Sequence, residues 1–141
     1  MTIEELQNQI IEEFSAYKDW MDKYNYLIQI SEDLIPLSPV HKTEDNLIDG
    51  CQSKVWLHTE FAGGKIFYMA DSDAIITKGL ITLLIKVLSA RTPQEILDAD
   101  LFFIEKIGLK ENLSPTRSNG LLAMIKKMKL YALAYQAKGE E

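Results

Sequence analysis

The feature that most constrains this chain is a change of hydrophobic period in its middle. Val55, Leu57, Thr59 and Phe61 alternate with Trp56, His58 and Glu60, the period of two expected of a strand, in residues that favour strands. Gly63-Gly64 follows, and Lys65-Ile66-Phe67-Tyr68-Met69-Ala70 alternates again. Two runs joined by Gly-Gly predict a tight hairpin, because both central residues of such a turn need positive φ. A lone hairpin is marginal in water, so this sheet must pack on helices. The fold class expected is α+β, a small antiparallel sheet flanked by helices, in one domain over residues 1–141. Leu47-Ile48 offers a short third strand.

Helical patterns occupy the rest. Thr2 and Glu5 form a capping box ahead of Ile3, Leu6, Ile10, Phe14 and Tyr17, which recur at three- and four-residue spacing. Asp19 is placed to cap a second helix with Trp20, Tyr24, Leu27 and Ile28 inward, ending before Pro36. Residues 36–45 read as irregular chain. Asp71-Ser72-Asp73 reads as a cap cluster for a strongly apolar helix bearing Ile76, Leu80, Leu83, Leu84, Val87 and Leu88. Thr92-Pro93-Gln94-Glu95 opens a short helix with proline at its first position. A helical turn or two is expected between Phe102 and Leu109. Residues 114–118 read as a loop before a last helix whose stripe of Met124, Met128 and Tyr131 is core at helical spacing.

Composition narrows the function classes. The longest apolar run, near Gly79 to Ile85, falls short of the roughly 18 residues of a spanning helix, and no basic-then-apolar leader opens the chain. No membrane role is expected. Residues 1–50 hold 3 Lys against 11 Asp and Glu, so the net charge of −6 is concentrated in the first half. That balance disfavours nucleic acid, which needs a basic footprint. It reads as a solvated acidic surface or as a docking face for a basic partner. One cysteine excludes an internal disulfide, a thiolate zinc cage, a cluster held by this chain alone, and a two-thiol redox cycle. A reducing cytoplasm suits such a chain. Two histidines and scattered carboxylates lack metal-ligand spacing, and no glycine-rich phosphate loop occurs. No metal or cofactor is therefore expected. A Cys–His hydrolase would need His41 or His58 to reach the sulfur, and neither stands in a protease context.

Cys51 carries the remaining chemistry. An isolated cysteine is commonly a small buried hydrophobe. Asp49-Gly50-Cys51-Gln52-Ser53, however, is a polar stretch between apolar ones, and Gly50 permits the tight conformation that presents a side chain at a turn. Gln52, Ser53 and backbone N–H groups are candidate donors to a thiolate or to a sulfide carried on it. Lys54 favours the thiolate, and Asp49 opposes it.

The run Gly50-Cys51-Gln52-Ser53-Lys54-Val55-Trp56-Leu57 closely resembles the cysteine-loop motif of the SufE family of sulfur-acceptor proteins. Asp71-Ser72-Asp73-Ala74 with Lys78-Gly79-Leu80, and Leu113 through Leu121, resemble the same family in the same order. The resemblance implies an IscU-like fold and a persulfide carrier: Cys51 takes sulfur from a pyridoxal-phosphate-dependent cysteine desulfurase (SufS-like), and the chain stimulates that enzyme. The sulfur then passes to a SufBCD-type scaffold for iron–sulfur assembly. IscU-type scaffolds use several cysteine ligands, and one cysteine fits carrying sulfur rather than building clusters. The resemblance places Gly50, Gln52, Ser53, Asp71, Asp73 and Arg117 in support of the cysteine loop or in contact with the partner. Structural readings stand beside it, with Asp71 and Asp73 as helix caps and Arg117 in a salt bridge or capping carbonyls near the last helix. Two alternatives stay open: a non-covalent adaptor in which Cys51 is dispensable, and an acceptor for a related desulfurase in another sulfur pathway. A homodimer stays open too. Whether such a chain counts as an enzyme turns on definition, since the intermediate forms on Cys51 while turnover belongs to a coupled system.

Overall fold

The computed structural model describes residues 1–139. Thr2 and Asp19 cap α1 (Ile3–Ser15) and α2 (Trp20–Ser31), Thr2 through the full capping box. Two single 3₁₀ turns, Pro39–His41 and Glu44–Asn46, follow. The hairpin is formed by β1 (Val55–Ala62) and β2 (Lys65–Ser72), antiparallel with Val55 opposite Ser72 and Ala62 opposite Lys65. Gly63 and Gly64 turn it with φ of +60° and +77°, as a primed turn requires. Then come α3 (Ile75–Leu88), α4 (Pro93–Asp98), the single turns α5 (Phe103–Lys106) and α6 (Leu109–Asn112), and α7 (Pro115–Ala137).

The core gathers around α3, the most apolar helix, which packs against α1, α2, α7 and β2. Val55 and Leu57 of β1 and Ile66, Tyr68 and Ala70 of β2 face it, and all are buried. The Tyr68 hydroxyl donates to the Met128 carbonyl at 2.6 Å, which ties the hairpin to α7. Met124 and Met128 are buried as their spacing predicts, and Tyr131 is half-buried beside them. α2 and α3 approach so closely at Gly79 that a Cβ there would lie 2.5 Å from the Leu27 carbonyl oxygen. The α+β class is as expected.

Three sequence-based expectations differ from the structure. Leu47 meets Trp56 in one isolated bridge instead of a third strand, and the sheet among the described residues has two strands. Residues 114–118 are not a loop: Ser114 is the N-cap of α7, and Pro115 through Ser118 already lie in its first turn. Proline at the first helical position leaves no orphan N–H there, and Ser114 Oγ accepts from the Arg117 amide. The cap cluster is the third. Asp71 and Ser72 end β2, the N-cap of α3 is Ala74 without a side-chain cap, and the carboxylates of Asp71 and Asp73 bond elsewhere.

Candidate functional site

Cys51 follows a turn made by Asp49 and Gly50. Gly50 has φ +95°, a left-handed conformation that glycine adopts without strain, and its α-carbon faces α7 where a Cβ would come 3.2 Å from that of Ala123. The turn therefore lies flat on α7. The Cys51 thiol is half-buried and its S–H donates to the Gly120 carbonyl at 3.6 Å. Burial pushes the thiol pKa up. Burial is the cause of that shift, and no neighbouring charge enters it. Gln52 and Ser53 do not bond the sulfur.

Cys51, Gln52, Ser53 and Thr77, together with Ser114, Thr116, Arg117, Gly120 and Met124 of the α7 end, line one cavity of about 350 Å³. Arg117 thus stands on the wall of the cysteine cavity. Its guanidinium is anchored from the side, donating to the Tyr24 hydroxyl at 3.2 Å with the charge above that ring. Gly120 supplies a further condition: a Cβ there would stand 3.6 Å from Cys51 Sγ, so its hydrogen keeps space beside the sulfur open.

The Asp71–Asp73 segment fixes both ends of the loop. Asp71 is 8% exposed and pairs with Lys42 Nζ at 2.8 Å and Lys78 Nζ at 3.6 Å, while also accepting from the Ser72 amide. Burial raises its pKa, but the bonds from Lys42 and Ser72, with Lys78 beside them, outweigh burial and hold the carboxyl below its usual range. Lys42 in turn sits over the Trp56 ring. Downstream of the cysteine, Asp73 Oδ1 accepts from the Lys54 amide at 3.0 Å. The Asp73 amide and the Ser72 hydroxyl both donate to the Lys54 carbonyl. Between them the two carboxylates are engaged by Lys42, Lys78, Ser72 and Lys54, and neither caps α3.

The histidines lie apart from this site. His41 and His58 stack with ring centroids 3.6 Å apart, and His58 meets Glu60. Neither lines the Cys51 cavity, so the hydrolase arrangement is not formed. No group of three or more His, Cys, Asp or Glu among the described residues is placed to hold a metal. No helix among them is long and apolar enough to cross a membrane. Sequence reasoning missed Thr77 as a wall of the cavity, because a threonine on an apolar helical face carries no signal of its own. Gly120 was visible within the Leu113–Leu121 motif but was given no role.

Fold and site together define a class: a small α+β protein offering one thiol from a braced turn into a polar cavity. A solution structure of a hypothetical protein from Thermus thermophilus has the same fold, with a TM-score of 0.76 and 22% identity, covering 94% of this chain and 96% of that one. The SufE family model, described as an Fe-S metabolism associated domain, matches residues 8–132. A SufE-like protein of Synechocystis is 37% identical over 90% of this chain and 80% of its own length. One from Rhizobium etli is 39% identical over 86% of each. The chain belongs to the SufE family, which places it in sulfur handling for iron–sulfur metabolism. It is also 41% identical to SufE-like protein 1, chloroplastic/mitochondrial, of Arabidopsis thaliana, and spans 99% of this chain but 38% of that longer protein.

Proposed function

We propose that this chain accepts sulfur on Cys51 as a persulfide from a pyridoxal-phosphate-dependent cysteine desulfurase, stimulates that enzyme, and delivers the sulfur to an iron–sulfur scaffold of the SufBCD type. The observation that carries the reading is Cys51 itself, half-buried at a braced turn and facing a cavity with room beyond its sulfur. Pyridoxal phosphate belongs to the partner. In the transfer, Cys51 first loses its proton to solvent or to the docked donor. Its thiolate attacks the outer sulfur of the donor's persulfide. A bond forms between Cys51 Sγ and that sulfur, the donor's S–S bond breaks, and the donor cysteine leaves as thiolate, as in disulfide exchange. Burial and the bond to Gly120 favour the protonated thiol in the free carrier, and docking that moves the turn away from Gly120 would favour the thiolate where the donor stands. Gly50, Gln52, Ser53 and Arg117 then serve the loop or the partner surface, while Asp71 and Asp73 hold the frame from which the loop moves. A relative bears an organellar name, and the sulfur chemistry suits either a cytoplasm or an organelle stroma.

The test is to incubate the protein with a cysteine desulfurase and cysteine and weigh the peptide containing Cys51. The peptide should gain one sulfur atom, and Cys51→Ser should abolish both the adduct and the stimulation of sulfide release. Stimulation that survives in Cys51→Ser would establish the non-covalent adaptor instead.

A further inference from the structure

Loading the thiol changes what the cavity must supply. In the resting state the S–H donates to the Gly120 carbonyl. Once Sγ carries a second sulfur that proton is gone, the outer sulfur is anionic, and the carbonyl oxygen beside it repels it. A new donor is required. Thr77, in the first turn of α3, is 7% exposed and lines the same cavity. Further along that helix Thr82 satisfies its hydroxyl at the Lys78 carbonyl, four residues back, at 2.6 Å. Thr77 makes no such bond to Asp73, and its hydroxyl has no hydrogen-bond partner among the described residues. The buried side-chain polar atom left without a partner among the described residues is Trp20 Nε1, so the Thr77 oxygen still touches open space, where a hydroxyl can donate to an acceptor and a valine of the same shape cannot. On the wall of the cavity, that hydroxyl is placed to meet an acceptor that arrives there.

We propose that Thr77 Oγ1 donates a hydrogen bond to the outer sulfur of a persulfide on Cys51, making the cavity the resting place of an anionic sulfur. The proposal rests on the acceptor reading above and adds the residue that retains the cargo. Arg117 contributes fixed positive charge on the wall, though its guanidinium is already engaged with Tyr24. A hydrogen bond to a charged acceptor is among the stronger ones in a protein, so its loss should be measurable.

The experiment loads Cys51 without a desulfurase. Inorganic polysulfide is the probe: the Cys51 thiolate attacks one of its sulfurs, a Cys51–S bond forms, one S–S bond of the polysulfide breaks, and a shorter polysulfide leaves. The decay of the adduct in excess dithiothreitol is then followed by intact mass across pH for wild type, Thr77→Val and Thr77→Ser. Thr77→Val should shorten the adduct's half-life about tenfold at neutral pH and raise the pH midpoint of its reduction, and Thr77→Ser should restore both to within about twofold. Should Thr77→Val fail to fold, Thr77→Ala carries the same comparison with Thr77→Ser. Equal half-lives and midpoints with and without the hydroxyl overturn the proposal, as does a wild type that polysulfide cannot load. A wild type that a desulfurase never loads, while the polysulfide adduct still depends on Thr77, removes the proposed function and leaves this inference standing.

Discussion

Burial holds the Cys51 thiol above its ordinary pKa, and the thiol spends its proton on a carbonyl of α7. If Cys51 accepts sulfur as proposed, Gly120 is the residue whose size should limit that step. Alanine at an interior helical position ordinarily stabilises by about 1 kcal/mol over glycine. Here the added methyl would stand at contact distance from Sγ, in the space a second sulfur needs. Gly120→Ala should therefore leave thermal stability unchanged or slightly higher while cutting the rate of sulfur loading at Cys51 by about tenfold or more, a barrier change of roughly 1.4 kcal/mol. Thermal unfolding and the mass of the Cys51 peptide check the two halves. A variant loaded as fast as wild type would show that the outer sulfur lies on another side of Sγ. Cys51 was legible in the sequence because a turn surrounds it and a motif repeats that turn's residues. Thr77 was not, because its significance arises solely from which cavity α3 presents it to.

The elements hold the loop by its two ends. Upstream, Lys42 is drawn to Asp71 at the end of β2; downstream, Lys54 is stitched by three bonds to Ser72 and Asp73. Cys51 stands between these two points of attachment. Asp73→Ala removes the bond to the Lys54 amide but leaves the strand pairing. It should cost about 1 kcal/mol and speed hydrogen exchange at residues 50–54 several-fold, with β1 beyond Leu57 unaffected. Exchange that rises across the whole hairpin would mean that the brace belongs to the sheet and not to the loop. The hairpin, the capping box at Thr2, the proline start of α4 and the helical stripes were readable because each is written within a few residues. The Asp71–Asp73 brace was misread as a cap cluster. Aspartate before an apolar helix is the ordinary signature of a cap, while the partners that claim these carboxylates, Lys42 and Lys54, lie far back in the chain. Arg117 was misplaced in a loop for a related reason: Pro115 reads as a breaker, yet at the first helical position it begins α7.

Across the whole molecule, charge sets how stability responds to acid. The chain carries −6 at neutral pH with an isoelectric point near 5.0, so moderate acidification relieves self-repulsion and favours the compact state. Asp71 works in the opposite direction. Its carboxyl is held below the usual range in the folded protein, so its contribution is complete above the unfolded value of about 3.9 and is lost as the pH falls through the lower folded value. Lys42 and Lys78 are partly exposed, which screens the pairs and keeps the contribution modest. Asp71→Asn should destabilise the protein by about 1–2 kcal/mol at pH 7, measured by urea unfolding. The deficit should stay constant above the unfolded value and close as the pH falls through the lower folded value, where wild type protonates the same carboxyl. Added salt should shrink it at neutral pH, though not abolish it, since the Ser72 amide bond is not an ion pair. A deficit that persists unchanged into acid would assign the loss to misfitted packing by the amide, and Asp71 would then cease to be the electrostatic post that holds Lys42 and the entry to the cysteine loop.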